Sequence, residues 1–253
     1  MQHQIIDNPW QQKRQMYKLV FRIILLSISE WMSKLFGQSS PRPKSILEQE
    51  LEKRDPTKPI KFGHKCIWAA VKTEDTNSLL KALRLEKQRK ANWVEGKLQA
   101  RNGEIFVLPP IEGWILILGW GLPEPGYMEG RERAQRFLNG LSQKFGEAQM
   151  FGNFRGSGSA FWMKSVDGNT ERLYYIGDGN SFIEGEPTSV EMKWDLIDTN
   201  SKDAEQEEYW EKMLYPDAEH VLEVAKAWSL NPMELEEKEN VGEYGYLGRL
   251  KLK

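Results

Sequence analysis

Short apolar runs separated by turn residues fill the middle of this 253-residue chain, and they confine it to an antiparallel sheet more tightly than composition does. Lys65 to Val71, Asn92 to Gln99, Glu104 to Leu108 and Trp114 to Leu118 read as strands, each a few residues long and rich in β-branched or aromatic side chains. Asn102-Gly103 lies between the second and third of these runs and predicts a hairpin, because the favoured two-residue turn needs positive φ at both central positions. Pro109 to Gly113 separates the next pair. After a turn-rich Gly119 to Gly130, the runs Glu147 to Phe154, Ser159 to Val166 and Glu171 to Ile176 predict a second antiparallel series, with Asp167-Gly168 marking its hairpin.

Helical patterns flank the strands. Thr73 to Thr76 offers capping residues for a helix through Leu85. Arg131 to Phe145 places Ala134, Phe137, Leu138 and Leu141 on one side and is closed by Gly146. Ala204 to Leu214, Asp217 to Ser229 and Pro232 to about Glu237 are also expected to be helical, with Val221, Val224, Trp228 and Leu235 packing as a small helical hairpin. The predicted class is therefore α+β: a mostly antiparallel sheet with flanking helices, an N-terminal amphipathic helix and a C-terminal helical segment. A 40% hydrophobic content with ten Trp, ten Phe and eight Tyr supplies a core, and Trp68, Trp114 and Trp162 are expected within it.

Gly37 to Pro43, with one glycine and two prolines, divides the chain into an N-terminal helix with its linker (1–43) and a single α+β domain (44–253) with an acidic helical C-terminal part. Within the first part, Val20, Phe21, Ile24, Leu25, Ile28, Trp31, Met32 and Leu35 share one face of a helix, while Lys18, Arg22, Ser29 and Ser33 share the other. Lys18, Arg22, Glu30 and Lys34 argue against a spanning helix, and Arg22 together with the lack of a small-residue cleavage pattern argues against a signal peptide. This stripe is expected to cover the protein's own body or a dimer partner; a membrane surface bound through residues 17–36 is the alternative. The expected location is cytoplasmic, with membrane association as that alternative's consequence.

Charge is sorted along the chain. Met1 to Ala100 holds 19 Lys and Arg against 10 Asp and Glu, whereas Ile183 to Glu243 holds 18 acids against 5 bases. Such asymmetry bears on partners and association rates rather than on fold. No catalytic set accompanies it. His3, His64 and His220 have no metal-ligand spacing, with His220 expected on the exposed side of an acidic helix. No serine occupies a strand-to-helix elbow, and the glycines of Gly152 to Gly158, with Arg155, fit a bent hairpin loop better than a phosphate cradle. Cys66, the only cysteine, reads as a buried small hydrophobe. Glu184, Glu186, Glu191, Asp195 and Asp198 are expected to form a solvated face. No metal or cofactor is expected, and no nucleic acid, since the helices around Asn231 to Leu235 are acidic.

Trp68 to Val71, Asn92 to Gly96, Phe106 to Trp114, Leu141 to Gly152, Gly185 to Glu191 and Ala227 to Pro232 together resemble an uncharacterised family of bacterial proteins, over about Lys65 to Gly248. That resemblance implies a bacterial cytoplasmic protein and transfers no activity or site. The leading expectation is a non-enzymatic protein-binding protein, such as an immunity protein that neutralises a basic toxin domain. Its interface would comprise Glu205, Glu207, Glu208, Glu211 and Glu219 with Tyr209 and Trp210 as aromatic anchors. A face merely solvated, or complementing the basic N-terminal third within the molecule, is the plain alternative. A membrane-peripheral scaffold using the N-terminal helix, and a hydrolase using the carboxylates around Glu184 to Glu191, are the other two readings.

Overall fold

The computed structural model describes residues 44–126, 128–154 and 156–251, and the chain from Glu50 onward makes one compact unit. The N-terminal amphipathic helix, its linker, His3 and Arg155 lie outside the described residues. In chain order the elements are α1 (Ile46–Leu51), β1 (Cys66–Val71), α2 (Thr76–Leu83), β2 (Glu86–Asn92), α3 (Trp93–Ala100), β3 (Ile105–Val107), β4 (Ile115–Leu118), α4 (Met128–Phe145), β5 (Glu147–Phe154), β6 (Ser159–Val166), β7 (Asn169–Gly177), β8 (Asn180–Glu184), α5 (Glu207–Lys212), α6 (Ala218–Trp228) and β9 (Tyr244–Arg249). Two 3-10 turns, Lys202–Glu205 and Pro232–Glu237, join the last helices to their surroundings.

The strands form one sheet in the order β2-β9-β3-β4-β1-β5-β6-β7-β8, with every pairing antiparallel. The fold is α+β, a mostly antiparallel sheet with flanking helices. Strand alternation assigns each helix a side. Ile67, Ala69 and Val71 share a face with Ile117, Met150, Met163 and Tyr175, and there they meet Leu79, Leu80 and Leu83 of α2 and Ala134, Leu138 and Leu141 of α4. The opposite face carries Trp68, Phe106, Phe151, Trp162 and Tyr174, all nearly inaccessible. Trp68 stacks on Phe151 at 5.3 Å and Trp162 on Tyr174 at 4.7 Å; α3 and α6 cover this aromatic face.

Several expectations need correction. Asn92 to Gln99 is not a strand: Asn92 accepts a hydrogen bond from the Glu95 amide and caps α3. Asn102-Gly103 therefore joins a helix to β3 rather than closing a hairpin. The helix expected to reach Leu85 stops at Leu83, where Arg84 turns left-handed (φ 50°). Ala204 to Leu214 divides into a 3-10 turn and the shorter α5. Strands β2, β8 and β9 were not anticipated, and β9 returns the chain's end to the sheet between β2 and β3. Trp68 and Trp162 are core, but Trp114 is only half-buried, with the Lys72 ammonium 5.9 Å above its ring. The Asp167-Gly168 hairpin has positive φ at both positions (47° and 86°), and Asp178-Gly179 repeats the geometry between β7 and β8 (51° and 76°). No helix among the described residues is long and apolar enough to cross a membrane.

Candidate functional site

The acidic face is carried by a segment that hangs from β7 and β8 through buried polar contacts. Arg172 of β7 reaches across to Glu191, with Nη2 2.6 Å and Nε 2.8 Å from Oε1. Its Nη1 donates to the Gly185 carbonyl at 2.7 Å. Glu191 Oε1 also accepts from Trp162 Nε1, and its Oε2 accepts from the Thr188 amide and hydroxyl. Burial alone would raise this carboxyl, and the bonds from Arg172 and Thr188 outweigh it and hold the group below the usual carboxylate range. Glu191 therefore does not belong to a solvated acidic face, as the sequence suggested; both of its oxygens are committed to fixing the chain that leads to α5.

Further along, Tyr174 donates to the Ile197 carbonyl at 2.9 Å. Burial, with Tyr209 and Tyr215 nearby, pushes its phenol upward and keeps it a donor. Ser181 and Asp198 are bonded at 3.0 Å, and Leu196 makes a parallel bridge to Leu214. Tyr209 then locks α5 to this segment: its hydroxyl accepts from the Asp198 amide at 2.7 Å and donates to the Asp198 carbonyl at 3.0 Å. Trp210 is the residue so presented. It is 44% exposed, its Nε1 donates to the Ala204 carbonyl at 2.9 Å, and its ring stands edge-on to Tyr209 at 5.9 Å. An indole held by a hydrogen bond and an aromatic neighbour loses little freedom when a partner covers it.

Comparison with protein-family models, curated proteins and solved structures returns no match. The family resemblance read from the sequence thus gains no support, and the site rests on its own geometry.

Glu205, Glu207, Glu208 and Glu211 surround Trp210 in sequence and are all exposed; none makes an ion pair or side-chain hydrogen bond among the described residues. The helix dipole accounts for Glu207 and Glu208 in the first turn of α5, but Glu211 sits in its last turn, where the same dipole opposes it. Glu219 differs from these four in having a partner. It lies at the start of α6, 3.7 Å from His64 Nε2. His220 is likewise not on an open acidic surface: it completes a capping box with Asp217 and stands edge-on to Trp194 at 4.9 Å.

Part of the acidic stretch's charge is neutralised within the fold, by the basic N-terminal third at Glu236 and by lysines of the same stretch at Glu234 and Glu223. Glu236 meets Arg54 at 2.8 Å and Lys61 at 3.7 Å, Glu234 meets Lys226 at 2.6 Å, and Lys193 pairs with Glu223. Those pairs leave the α5 carboxylates out. Three of the five carboxylates weighed for hydrolysis are separately engaged: Glu184 accepts from Gln135, Asp198 is tied to Ser181, and Glu191 is spent on Arg172. Among the described residues, no three His, Cys, Asp or Glu side chains gather to hold a metal ion. Cys66 is buried, and burial pushes its thiol up to about 12, the wrong direction for a nucleophile.

Proposed function

We propose that this chain is a non-enzymatic binding protein that receives a basic protein partner on the acidic face around α5, in the manner of an immunity protein covering a toxin. One observation carries the reading: an exposed, hydrogen-bonded Trp210 among four exposed carboxylates, none of which the described part of the molecule neutralises. Like charges so close repel one another in the free protein, and a basic surface would relieve that repulsion while the indole supplies apolar area. The carboxylates would mainly accelerate encounter and the tryptophan would mainly slow release.

The test is capture of partners by the full-length chain from its host lysate, followed by kinetics with the purified candidate. A basic partner should bind at 1:1 stoichiometry. Glu207→Lys with Glu208→Lys should lower the association rate and flatten its salt dependence, and Trp210→Ala should raise Kd about tenfold or more, chiefly through dissociation. Capture that is indifferent to both substitutions would remove α5 from the interface and overturn the proposal.

A further inference from the structure

A second, oppositely charged feature lies away from α5. The chain approaching β1, the C-terminal end of α3, the residues after β4 and the Pro232–Glu237 turn enclose a cavity of about 240 Å³. Its lining includes Lys61, Lys97 and Arg101 but no carboxylate, together with Phe62, Cys66 and Trp120. Backbone pairing fixes the frame: the Trp120 amide donates to the Ala100 carbonyl at 2.9 Å and the Gly119 amide to the Ile67 carbonyl at 3.1 Å. These bonds bring the residue before Arg101, the Trp120 ring and the Cys66 strand to one place.

Of the three cations, Lys61 is paired with Glu236 at 3.7 Å, whereas Lys97 and Arg101 make no ion pair among the described residues. Lys97 and Arg101 are one helical turn apart and so share a face. Lys97 donates once, to the Lys61 carbonyl at 2.6 Å, which leaves two of its three N–H groups. Burial, and then the nearby Arg101, depress its ammonium below the ordinary range. The Arg101 guanidinium makes no ion pair or side-chain hydrogen bond among the described residues. Two neighbouring cations, one of them half-buried, repel each other, and an anion bound between them would relieve that repulsion. Apart from His64, whose Nε2 lies 3.7 Å from Glu219 Oε1, the rest of the lining is apolar. Phe62 is buried in the wall, Trp120 is 49% exposed at the opening with its ring edge-on to Phe154 at 5.2 Å, and Cys66 is held as a neutral thiol.

We infer that this cavity binds a small organic anion, with its charged head at Lys97 and Arg101 and a planar apolar body against Phe62 and Trp120. The volume lies just below the range of drug-sized pockets, which sets the scale at a ring with one anionic substituent. A carboxylate and a phosphate monoester both offer the oxygens that a guanidinium takes in pairs. The site is independent of the α5 interface and stands or falls without it.

Titration of the full-length chain with benzoate and phenyl phosphate, against the neutral isosteres benzamide and benzyl alcohol, tests this by calorimetry and by tryptophan fluorescence. At least one anion should bind saturably at one site in the millimolar range or tighter, at least about tenfold better than its neutral counterpart. The fluorescence change should vanish in Trp120→Phe. Arg101→Gln, an exposed substitution expected to leave the unfolding temperature unaltered, should weaken the anion at least about tenfold, and Lys97→Met should do the same. Arg136→Gln, on the helix packed against the other face of the sheet, should leave it unchanged. Whichever anion binds more tightly identifies the headgroup. Absence of saturable binding by both anions, equal binding of the neutral isosteres, or indifference to Arg101→Gln would overturn the inference.

Discussion

Glu191 shows how far a single side chain can depart from what its neighbours in sequence suggest. It sits in the chain's acidic stretch, and its own side chain is fully buried and answered by Arg172, itself only 4% exposed. Removing one partner of a buried pair is costlier than the pair is worth, because the other charge stays behind without water. Glu191→Ala should therefore lower stability by about 3–5 kcal/mol, measured by urea denaturation. Glu191→Gln should cost less, since the amide oxygen still accepts from Arg172. The pH dependence has a defined sign. A carboxyl held below its ordinary value of 4.5 in the folded protein contributes fully above that pH, and the contribution is lost as pH falls through the lowered native value. The stability gap between wild type and Glu191→Gln should thus stay constant from neutrality to about 4.5 and narrow only below it. A gap that widens on acidification would mean that the pair is not ionised in the native state.

At the scale of elements, two glycines in helices separate intrinsic propensity from packing. Gly140 in α4 is exposed, and a methyl there would meet nothing within 4 Å. Gly96 in α3 faces the Phe106 ring, and a methyl there would lie 2.5 Å from it. Phe106 has no retreat, because Gly245 of β9 is pressed close on it as well and Trp93 stands edge-on at 5.9 Å. Alanine gains about 1 kcal/mol over glycine in a helix, whereas overpacking a core costs about 1–3 kcal/mol. Gly140→Ala should therefore raise the denaturation midpoint and Gly96→Ala should lower it. Two shifts of the same sign would show that Phe106 moves aside. The α3 error in the sequence reading has the same root. Trp93 and Val94 favour a strand, and that preference outweighed a legible helix start, Asn92 followed three residues later by Glu95. The hairpins at Asp167-Gly168 and β7 were legible because turn chemistry is local, and Asp178-Gly179 carried the same signal for β8. Strands β2 and β9 were not legible, since EKQRKAN carries four charges in seven residues and pairs with a segment more than 150 residues away. The site was only partly legible: composition marked the acidic face, but which carboxylates are spent on internal pairs, and which cations gather at the cavity, depend on strand order.

Across the whole molecule, the sheet runs through nine strands and ends in two edges, at β2 and β8. An open edge is a template for another chain, and the two ends are protected differently. At β8, the Ser181 amide donates to Thr199 Oγ1 at 2.8 Å and Asn200 Nδ2 donates to the Ser181 carbonyl at 3.3 Å. The segment that supports α5 therefore also caps that edge, which joins the proposed interface to the integrity of the sheet. At β2 protection comes from charge and irregularity. Lys87, Arg89 and Lys90 populate the strand, the pairing slips between Glu86 and Arg89, and Lys87 adopts a left-handed conformation (φ 52°). Arg89 is engaged with Glu104 at 2.8 Å, so its loss would confound stability with exposure. Gln88 and Lys90 are the cleaner pair to change: among the described residues Gln88 makes no side-chain bond, and the Lys90 ammonium lies 4.4 Å over the Tyr244 ring. Gln88→Val with Lys90→Val should give a protein that folds but associates more strongly with concentration than wild type does, followed by light scattering. Valine at two exposed positions of α4, Arg136 and Gln143, should not have this effect, because a helix presents no unpaired backbone row. Equal association by both double variants would assign it to surface hydrophobicity alone, and charge at β2 would then have no protective role.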